Sequence, residues 1–245
     1  HKEPFFVYLP HPIPHKPLHV SPPFMEGVSK EITDELANED NSIDYKTRDK
    51  LFRQAINEID WSVGKVLDTL KEVGVDNNTL VIFTADNGPG IGNAGPLRGK
   101  KGSNYEGGMR EATVIRWPGK IPAGQSNDEL MTAMDLLPTF AKLAGAEVPN
   151  DRVIDGKDVW PVLADGEKSP HEAFFYHRQN NLSAVRSGNW KLHTAKGKPK
   201  ELYNLESDIG EKKNLIQAEP EVVERLSKYM EEFTQEIAEN SRPAA

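Results

Sequence analysis

The chain has 245 residues, no cysteine and a formal net charge of -8. This composition excludes disulfides, thiolate metal sites and a cysteine nucleophile within the chain, and acidic residues spread along the sequence argue against nucleic-acid binding. No run reaches the roughly 20 apolar residues of a membrane-spanning helix, so we expect no membrane span. The length suits one large domain with a smaller one appended. The sequence starts at His1 without a methionine or a signal segment, and we expect it to begin inside a domain.

The first third of the sequence has the pattern of an α/β unit. Residues 5–9 form a short apolar run with β propensity, which predicts a strand that leads into a proline-rich loop. Apolar residues recur at three- and four-residue spacing over residues 45–73 and predict a long helix that Gly74 ends. Residues 79–84 are apolar and β-branched, which is typical of a strand in a parallel sheet covered on both faces. This order of elements indicates an α/β fold.

A glycine-rich segment follows the second of these strands. Residues 88–108 contain too many glycines for a helix and are too long for a simple turn, which leaves an ordered active-site loop or a flexible loop as alternatives. Beyond this segment, residues 113–117 predict another strand. Residues 136–144 predict a helix with Pro138 in its first turn and Gly145 at its end.

The sequence changes near residue 168 to shorter segments that are separated by turn residues. Four of them predict the strands of a small antiparallel sheet: residues 172–177, 182–186, 190–193 and 201–204. Apolar side chains on one face of residues 220–238 predict a helix that covers one face of this sheet. We therefore predict a larger α/β part over residues 1–168 and a small α+β subdomain over residues 169–245.

Two oxygen-bearing side chains follow the strand at residues 79–84. Asp86 offers a carboxylate oxygen and Asn87 an amide oxygen, and this hard-ligand pair suits Ca²⁺ or Mg²⁺ better than zinc. In α/β sheets, ligands bind beyond the carboxyl ends of the strands, where this pair lies. The alternative is an Asp-Asn-Gly turn that only reverses the chain.

Lys101 and His15 are candidates for contact with an anionic group. Lys101 lies among small residues that let an ammonium approach an anion closely, although Lys100 and Lys101 also fit solvated loop lysines. His15 lies between prolines, where it is able to donate a proton or a hydrogen bond to an anionic ester. A loop histidine without function is the alternative.

Three further groups have less specific signals. Glu106 and Arg110 are four residues apart, and we expect them to pair and brace the glycine-rich segment. His177 and Arg178 end a predicted strand, where they either face a pocket and meet a sugar or aryl group or have a structural role. The basic run at residues 196–200 is either a solvated hairpin or a contact for a sulfated polymer.

Together these segments resemble the second half of the type I, arylsulfatase-like sulfatase family, whose members depend on formylglycine and have the alkaline phosphatase-like fold. Residues 5–8, followed by Pro-His-Lys-Pro at 14–17, resemble the strand and loop that present a sulfate-contacting histidine, and this assigns that role to His15. The resemblance continues to the C-terminal subdomain, through residues 134–139, 184–192 and 201–205, with Asp208 and Glu211.

The resemblance also assigns the metal and sulfate ligands. The segment Phe-Thr-Ala-Asp-Asn-Gly-Pro resembles the family's metal-binding strand end, which implies that Asp86 and Asn87 hold Ca²⁺ or Mg²⁺. Residues 97–108 resemble the family's lysine loop, and counting back from Tyr-Glu-Gly-Gly places the sulfate-binding lysine at Lys101 rather than Lys100. The implied fold is an alkaline phosphatase-like sandwich with a mostly parallel central sheet.

The sequence departs from the family by what it lacks. Family members make formylglycine from Cys or Ser in a Cys/Ser-x-Pro-x-Arg motif, and neither this motif nor the upstream acidic pair of metal ligands occurs here. The resemblance therefore implies the N-terminal portion of the same enzyme as a partner, and we expect this chain alone to be inactive. In the complete enzyme, it implies that the hydrated aldehyde attacks sulfur while the metal, Lys101 and His15 neutralise developing charge. A smaller departure is Ala112, where the family usually has proline.

Two other functions are alternatives. A phosphatase or phosphonate hydrolase of the same superfamily tends to have Asp-His where this chain has Asp86 and Asn87, and an amide is a poor zinc ligand. The second alternative is a non-catalytic fragment or subunit that needs an N-terminal partner chain. For a sulfatase, the resemblance implies a sulfated small molecule or sulfated glycan as substrate, and a secreted or periplasmic location.

Overall fold

The computed structural model describes residues 3–15, 18, 20–30 and 45–241. The chain divides into two compact units, His1–Thr79 and Leu80–Ala245. This division falls inside the predicted larger part, residues 1–168, and does not test the predicted boundary near residue 168. That boundary stays a prediction. Among the described residues, no helix has both the length and the apolar composition needed to cross a membrane.

The first unit is built around one long helix, α1 (Tyr45–Glu72). Leu51 and Ala55 on its inner face pack with Leu18 into a small buried core. Past the last turn, Gly74 adopts a left-handed φ of +76°, and its N–H donates to the carbonyl three residues earlier at 3.0 Å. The predicted long helix and its glycine stop are confirmed.

Residues 5–9 do not belong to a sheet, which corrects the strand predicted there. Their apolar side chains are exposed, from 53% at Leu9 to 78% at Tyr8. The apolar pattern reports a tendency to be buried, whereas a strand exists only where a neighbouring strand exchanges backbone hydrogen bonds with it. No segment among the described residues does so here.

The second unit begins with a two-stranded sheet. β1 (Val81–Thr84) and β2 (Thr113–Arg116) confirm two predicted strands, and they pair antiparallel with Thr84 opposite Thr113. This pairing corrects the parallel direction predicted for the first of them, because an apolar run reports burial and does not encode the direction of the neighbouring strand. Phe83 in β1 is 43% exposed, so this face of the sheet is less covered than the pattern indicated.

Residues 88–108 form a loop whose two ends lie together, hereafter the glycine-rich loop. The Gly88 N–H donates to the Gly108 carbonyl at 3.2 Å. A Cβ at Gly108 would lie 2.2 Å from the Ser103 carbonyl oxygen, so only glycine fits there. The loop runs into a single helical turn, α2 (Glu106–Met109), although its glycine content argued against any helix. Of the two alternatives, the structure shows the ordered loop.

Two short helices follow β2. α3 (Leu136–Leu143) confirms the predicted helix, and Gly145 just beyond it has a left-handed φ of +70°. α4 (Trp160–Asp165) was not predicted. Three-residue 3-10 turns lie at Pro22–Phe24, Asp76–Asn78 and Ala133–Asp135.

The last part of the chain is a four-stranded antiparallel sheet covered by a helix, which confirms the prediction for this region. The strands pair in chain order: β3 (Phe174–Arg178), β4 (Asn181–Ser187), β5 (Trp190–Ala195) and β6 (Lys198–Asn204). α5 (Pro220–Asn240) packs on one face, where Leu226 and Met230 join Leu192 and Leu202 in a buried core. This core holds the C-terminal sheet and α5 together.

Shortening a side chain in this core should destabilise the chain. Leu202 is fully buried, so we expect Leu202→Ala to lower the free energy of unfolding by about 2–5 kcal/mol through lost burial and a new cavity. Urea denaturation followed by circular dichroism measures this. The matched control is Leu137→Ala, because that leucine is 53% exposed and should change stability by less than about 0.5 kcal/mol. Equal losses in both variants would contradict the assigned core.

Candidate active site

Asp86 and Asn87 lie where the chain leaves β1. Asp86 is exposed and Asn87 is half-buried. The backbone beyond β1 stays paired with the segment that precedes β2, since the Ala85 N–H donates to the Ala112 carbonyl at 3.4 Å. The side chains of this pair therefore sit at the strand end where we predicted them, beside the end of the glycine-rich loop.

Glu111 is a neighbour of this pair that the sequence analysis missed. The β1–β2 register, continued past Thr84 and Thr113, brings Glu111 opposite Asp86. Burial raises the pKa of Glu111, and the negative charge of Asp86 raises it further. Its Oε1 atom is buried without a hydrogen-bond partner among the described residues. Only the strand register could have revealed this carboxylate, because Glu111 and Asp86 are far apart in sequence.

These oxygen atoms fit a hard divalent cation. Asp86 and Asn87 would provide the first ligands, and the unsatisfied oxygen of Glu111 is a further acceptor that a nearby cation would compensate. Ca²⁺ takes about six to eight oxygen ligands, so this strand end would supply only part of its coordination shell. Within the described ranges, no cluster of three or more His, Cys, Asp or Glu residues is arranged to hold a metal.

Lys101 lies beside the segment that starts at Asp86. Its backbone N–H donates to the Pro89 carbonyl at 3.3 Å, and its side chain is exposed. A Cβ built on Gly90 would lie 3.8 Å from Lys101 Cδ, so the stem of the lysine passes over this glycine. The structure therefore brings Lys101 to the loop that continues from the predicted metal ligands.

His15 belongs to the first unit, whereas the other predicted catalytic and metal residues belong to the second. Its backbone N–H donates to the Pro12 carbonyl at 3.2 Å, which closes a tight turn, and its side chain is exposed. Lys16 and Pro17, which complete the predicted Pro-His-Lys-Pro motif, lie outside the described residues. The role of His15 stays a prediction.

α2 begins with a buried charge. Glu106 is 1% exposed, and its Oε1 atom lies 2.7 Å from Nζ of Lys191, a fully buried residue of β5. Lys191 Nζ is also 3.5 Å from Oε1 of Glu211, and Arg186 Nη1 lies 3.7 Å from Glu106 Oε2. Two carboxylates thus face two cations, which offsets the large desolvation cost of buried charges.

Glu211 links this ion pair to the backbone. Its Oε2 atom accepts a hydrogen bond from the Glu106 N–H at 2.7 Å, and its Oε1 atom lies 2.9 Å from His193 Nε2. Glu211 itself has a left-handed φ of +50°, which is uncommon for a residue with a side chain and is held by these contacts. We call Glu106, Lys191, His193 and Glu211 the buried ion cluster. It ties α2, and with it the end of the glycine-rich loop, to the face of the C-terminal sheet opposite α5.

Sequence reasoning missed the buried ion cluster because the pattern of β5 resembles that of a solvated strand. Lys191 and His193 alternate with the core residue Leu192, which normally places polar side chains in water. In this chain, the glycine-rich loop covers the polar face instead.

Arg110 has a different main partner from the predicted one. Its Nη2 atom lies 2.5 Å from Asp128 Oδ1, whereas its Nη1 atom is 4.0 Å from Glu106 Oε2. The predicted pair with Glu106 therefore exists only as a long contact, and the nearest cation to that carboxylate is Lys191.

A second polar group holds the middle of the glycine-rich loop to β6. The Arg98 guanidinium lies 3.9 Å over the ring of Tyr105, and its Nη1 atom donates to the Tyr203 hydroxyl at 2.8 Å. Both tyrosine hydroxyls donate to Glu201 Oε2. Partial burial alone would raise the pKa of Glu201, but hydrogen bonds from Lys200, Tyr105 and Tyr203 outweigh it and lower the pKa to about 2.

His177 and Arg178 end β3 and are exposed. The His177 ring lies 5.9 Å from the ring of Phe233 in α5, which places it on the helix side of the sheet. The glycine-rich loop packs on the other side, so the described structure does not bring His177 to Lys101. Their role as substrate contacts stays a prediction.

Two family models match this chain. Residues 1–146 match the sulfatase model, and residues 100–237 match the model described as N-sulphoglucosamine sulphohydrolase, C-terminal. The chain belongs to the sulfatase family. The second match covers the C-terminal sheet and most of α5, so the predicted C-terminal elements are a family feature as well.

Individual sulfatases support the assignment. The chain is 42% identical over 164 residues to the steryl-sulfatase of Rattus norvegicus, covering 62% of this chain and 28% of that protein. It is 37% identical over 199 residues to the N-acetylgalactosamine-6-sulfatase of Canis lupus familiaris, covering 78% of this chain and 34% of that protein. The solved structure of Ps i-CgsB has a TM-score of 0.78 and 32% identity, covering 95% of this chain and 50% of that one. The chain thus spans half or less of these relatives, and the likeness confirms the predicted α/β fold class.

Breaking the buried ion cluster should destabilise this sulfatase-family chain and loosen the glycine-rich loop. Lys191→Met leaves Glu106 buried without its nearest cation, and we expect a loss of about 3–5 kcal/mol in unfolding free energy. The double variant Glu106→Gln with Lys191→Met should lose less than the sum of the single variants. Urea denaturation gives the free energies, and hydrogen exchange gives the opening of residues 99–108. Lys228→Met, at an exposed ion pair, is the control, and a loss as small as in this control would refute the pairing.

The Glu201 contacts predict an acid-sensitive contribution to the stability of this chain. Its pKa is lower in the folded chain than the ordinary 4.5, so the ionised form stabilises the fold at neutral pH. This contribution should disappear as the pH falls from about 5 towards about 2, and Glu201→Gln should flatten that part of the stability profile. Urea denaturation across this range measures it, with the exposed Glu232→Gln as control. A Glu201 titration midpoint at or above 4.5 by NMR would contradict the assignment.

Proposed function

We propose that this chain contributes the sulfate-binding lysine and part of the metal site of an enzyme that hydrolyses sulfate esters. The observation that carries this proposal is the position of Lys101, beside the loop that continues from Asp86 and Asn87. Family membership supports the same reaction, since both matching family models describe sulfatases. A cation and an ammonium that both contact an oxyanion would stabilise the negative charge that develops in a transition state.

Each proposed residue has one task. The Lys101 ammonium binds a non-bridging oxygen of the sulfate group and stabilises the negative charge that develops there. His15 donates a hydrogen bond or proton to the ester. Asp86 and Asn87 hold Ca²⁺ or Mg²⁺, and Glu111 lies opposite Asp86 in the continued β1–β2 register. The bound cation supplies Lewis-acid polarisation of the sulfate.

The nucleophile of the proposed reaction does not come from these 245 residues, because they contain no Cys/Ser-x-Pro-x-Arg motif. We propose that a segment with a formylglycine supplies it, together with further metal ligands. This chain alone should therefore bind sulfate esters without turning them over.

A sulfated carbohydrate is the proposed substrate class. Ps i-CgsB has been crystallised with a k-i-k-neocarrahexaose, and the canine relative bears the name of an enzyme that acts on a sulfated sugar. A phosphatase or phosphonate hydrolase is less favoured, because Asn87 is a poor zinc ligand. We propose a secreted or periplasmic location on the resemblance to the family.

Sulfate release from an aryl sulfate in the presence of Ca²⁺ tests this function. The chain alone is compared with the chain co-expressed with an N-terminal sulfatase segment and a formylglycine-generating enzyme. We expect activity only in the co-expressed sample, and its loss on chelation of the metal. Activity of the chain alone would overturn the proposed mechanism, and inactivity of a folded, formylglycine-containing sample would overturn the function.

The two adjacent lysines of the glycine-rich loop should differ in effect. In the co-expressed sample, Lys101→Ala should lower kcat/KM for the aryl sulfate by about 100-fold or more, because an oxyanion-stabilising cation is lost. Lys100→Ala is the matched control and should change kcat/KM by less than about threefold. If Lys100→Ala lowered kcat/KM more than Lys101→Ala, the assignment of the sulfate contact to Lys101 would be wrong.

A further inference from the structure

The second unit contains a cavity that the proposed reaction does not use. It has a volume of about 620 Å³ and is lined by residues 95–98 of the glycine-rich loop and residues 210–212 of the turn after β6. Its wall therefore joins the loop that carries Lys101 to the C-terminal sheet. Two of its side chains are cationic, Arg98 and Lys212.

Arg98 is fixed on one side and open on the other. Its Nη1 atom donates to the Tyr203 hydroxyl and to the Glu211 carbonyl, both at 2.8 Å, while the guanidinium stacks over Tyr105. Its Nε and Nη2 atoms have no hydrogen-bond partner among the described residues, and 40% of its side chain is exposed. An oriented guanidinium with a free edge is suited to hold an oxyanion through two parallel hydrogen bonds.

Lys212 adds a second positive charge to the same cavity. Its stem folds over Gly210, since a Cβ at that glycine would lie 3.1 Å from Lys212 Cε and 3.0 Å from the Pro96 carbonyl oxygen. Its backbone N–H is anchored by Asp208 Oδ2 at 2.7 Å. Its ammonium pairs with no carboxylate within the described part of the chain.

Two carboxylates near the cavity have partners of their own. Glu201 accepts hydrogen bonds from two tyrosines and pairs with Lys200 at 2.8 Å. The Glu211 carboxylate is fully buried and faces Lys191 and His193 rather than the cavity. Of the two lining cations, Arg98 lies 3.6 Å from Glu201 and is partly compensated by it, whereas the Lys212 ammonium has no carboxylate partner among the described residues.

We propose that this cavity is a binding site for a second oxyanion of the substrate, a sulfate or carboxylate group carried by a sulfated glycan. The assignment to a glycan rests on the proposed function, whereas the oxyanion chemistry rests on Arg98 and Lys212 alone. Arg98 precedes Lys101 by three residues in one loop, so a glycan held at the cavity would contact the loop that presents the catalytic lysine. The site would favour substrates with more than one anionic group.

Calorimetric titration of the co-expressed sample tests the site with three probes: a heparin hexasaccharide, inorganic sulfate and uncharged maltohexaose. We expect the heparin hexasaccharide to bind and maltohexaose not to bind. Lys212→Ala should raise the Kd for the heparin hexasaccharide by about tenfold, which is the effect of one lost charge-assisted contact. Lys213→Ala, a neighbouring lysine that does not line the cavity, is the matched control and should leave the Kd unchanged.

The variants separate the outcomes. Arg98→Lys keeps the positive charge but loses the two parallel N–H donors of the guanidinium, so it should also raise the Kd for the heparin hexasaccharide. If this variant fails to fold, Lys212→Ala still tests the site. Equal Kd values for the Lys212 and Lys213 variants would overturn the site. If Lys212→Ala changed the Kd for inorganic sulfate but not the Kd for the heparin hexasaccharide, the assignment of the site to a glycan would be overturned. Because binding needs no turnover, a sample that binds as expected but releases no sulfate would overturn the proposed reaction and leave this site standing.

Discussion

Lys191 reaches from the middle of the C-terminal sheet to Glu106 at the end of the glycine-rich loop, and the position of that loop depends on this contact. Both residues are almost completely buried, and each is the nearest opposite charge of the other. Glu211 completes the arrangement because it accepts the backbone N–H of Glu106 and faces Lys191. A loop rich in glycine has little side-chain packing of its own, and these contacts hold it in one conformation.

The C-terminal sheet is therefore more than an appended subdomain. One of its faces packs on α5 through an apolar core, and the other packs on the glycine-rich loop through charged and aromatic groups. The apolar face stabilises the sheet, while the polar face has directional contacts that fix the loop in register. This division explains why Lys191 and His193 alternate with Leu192 along β5.

Most elements of this chain were predictable because their signals are local. The spacing of apolar residues in α1 and α5, the turn residues between β3 and β6 and the glycine after α1 each report on their own segment. The errors concern pairing. Residues 5–9 have the pattern of a strand without a partner among the described residues, and β1 has an antiparallel neighbour that its apolar pattern does not specify. The contacts of Lys191, Glu111 and Glu211 were missed for the same reason, since their partners are distant in sequence.

Two independent devices arrange the two halves of the candidate site. Strand register brings Glu111 opposite Asp86, so slipping β2 by one residue would replace a carboxylate with Ala112 at that position. The buried ion cluster sets the other half, because it fixes the end of the loop that carries Lys101. The hydrogen bond from Gly88 to Gly108 joins the halves, and the absence of a Cβ at Gly88 permits that approach, since such an atom would lie 2.8 Å from Gly108 Cα. The geometry between the proposed metal ligands and Lys101 thus depends on backbone pairing and on the buried ion cluster, which the exposed side chains of the candidate site do not have to maintain.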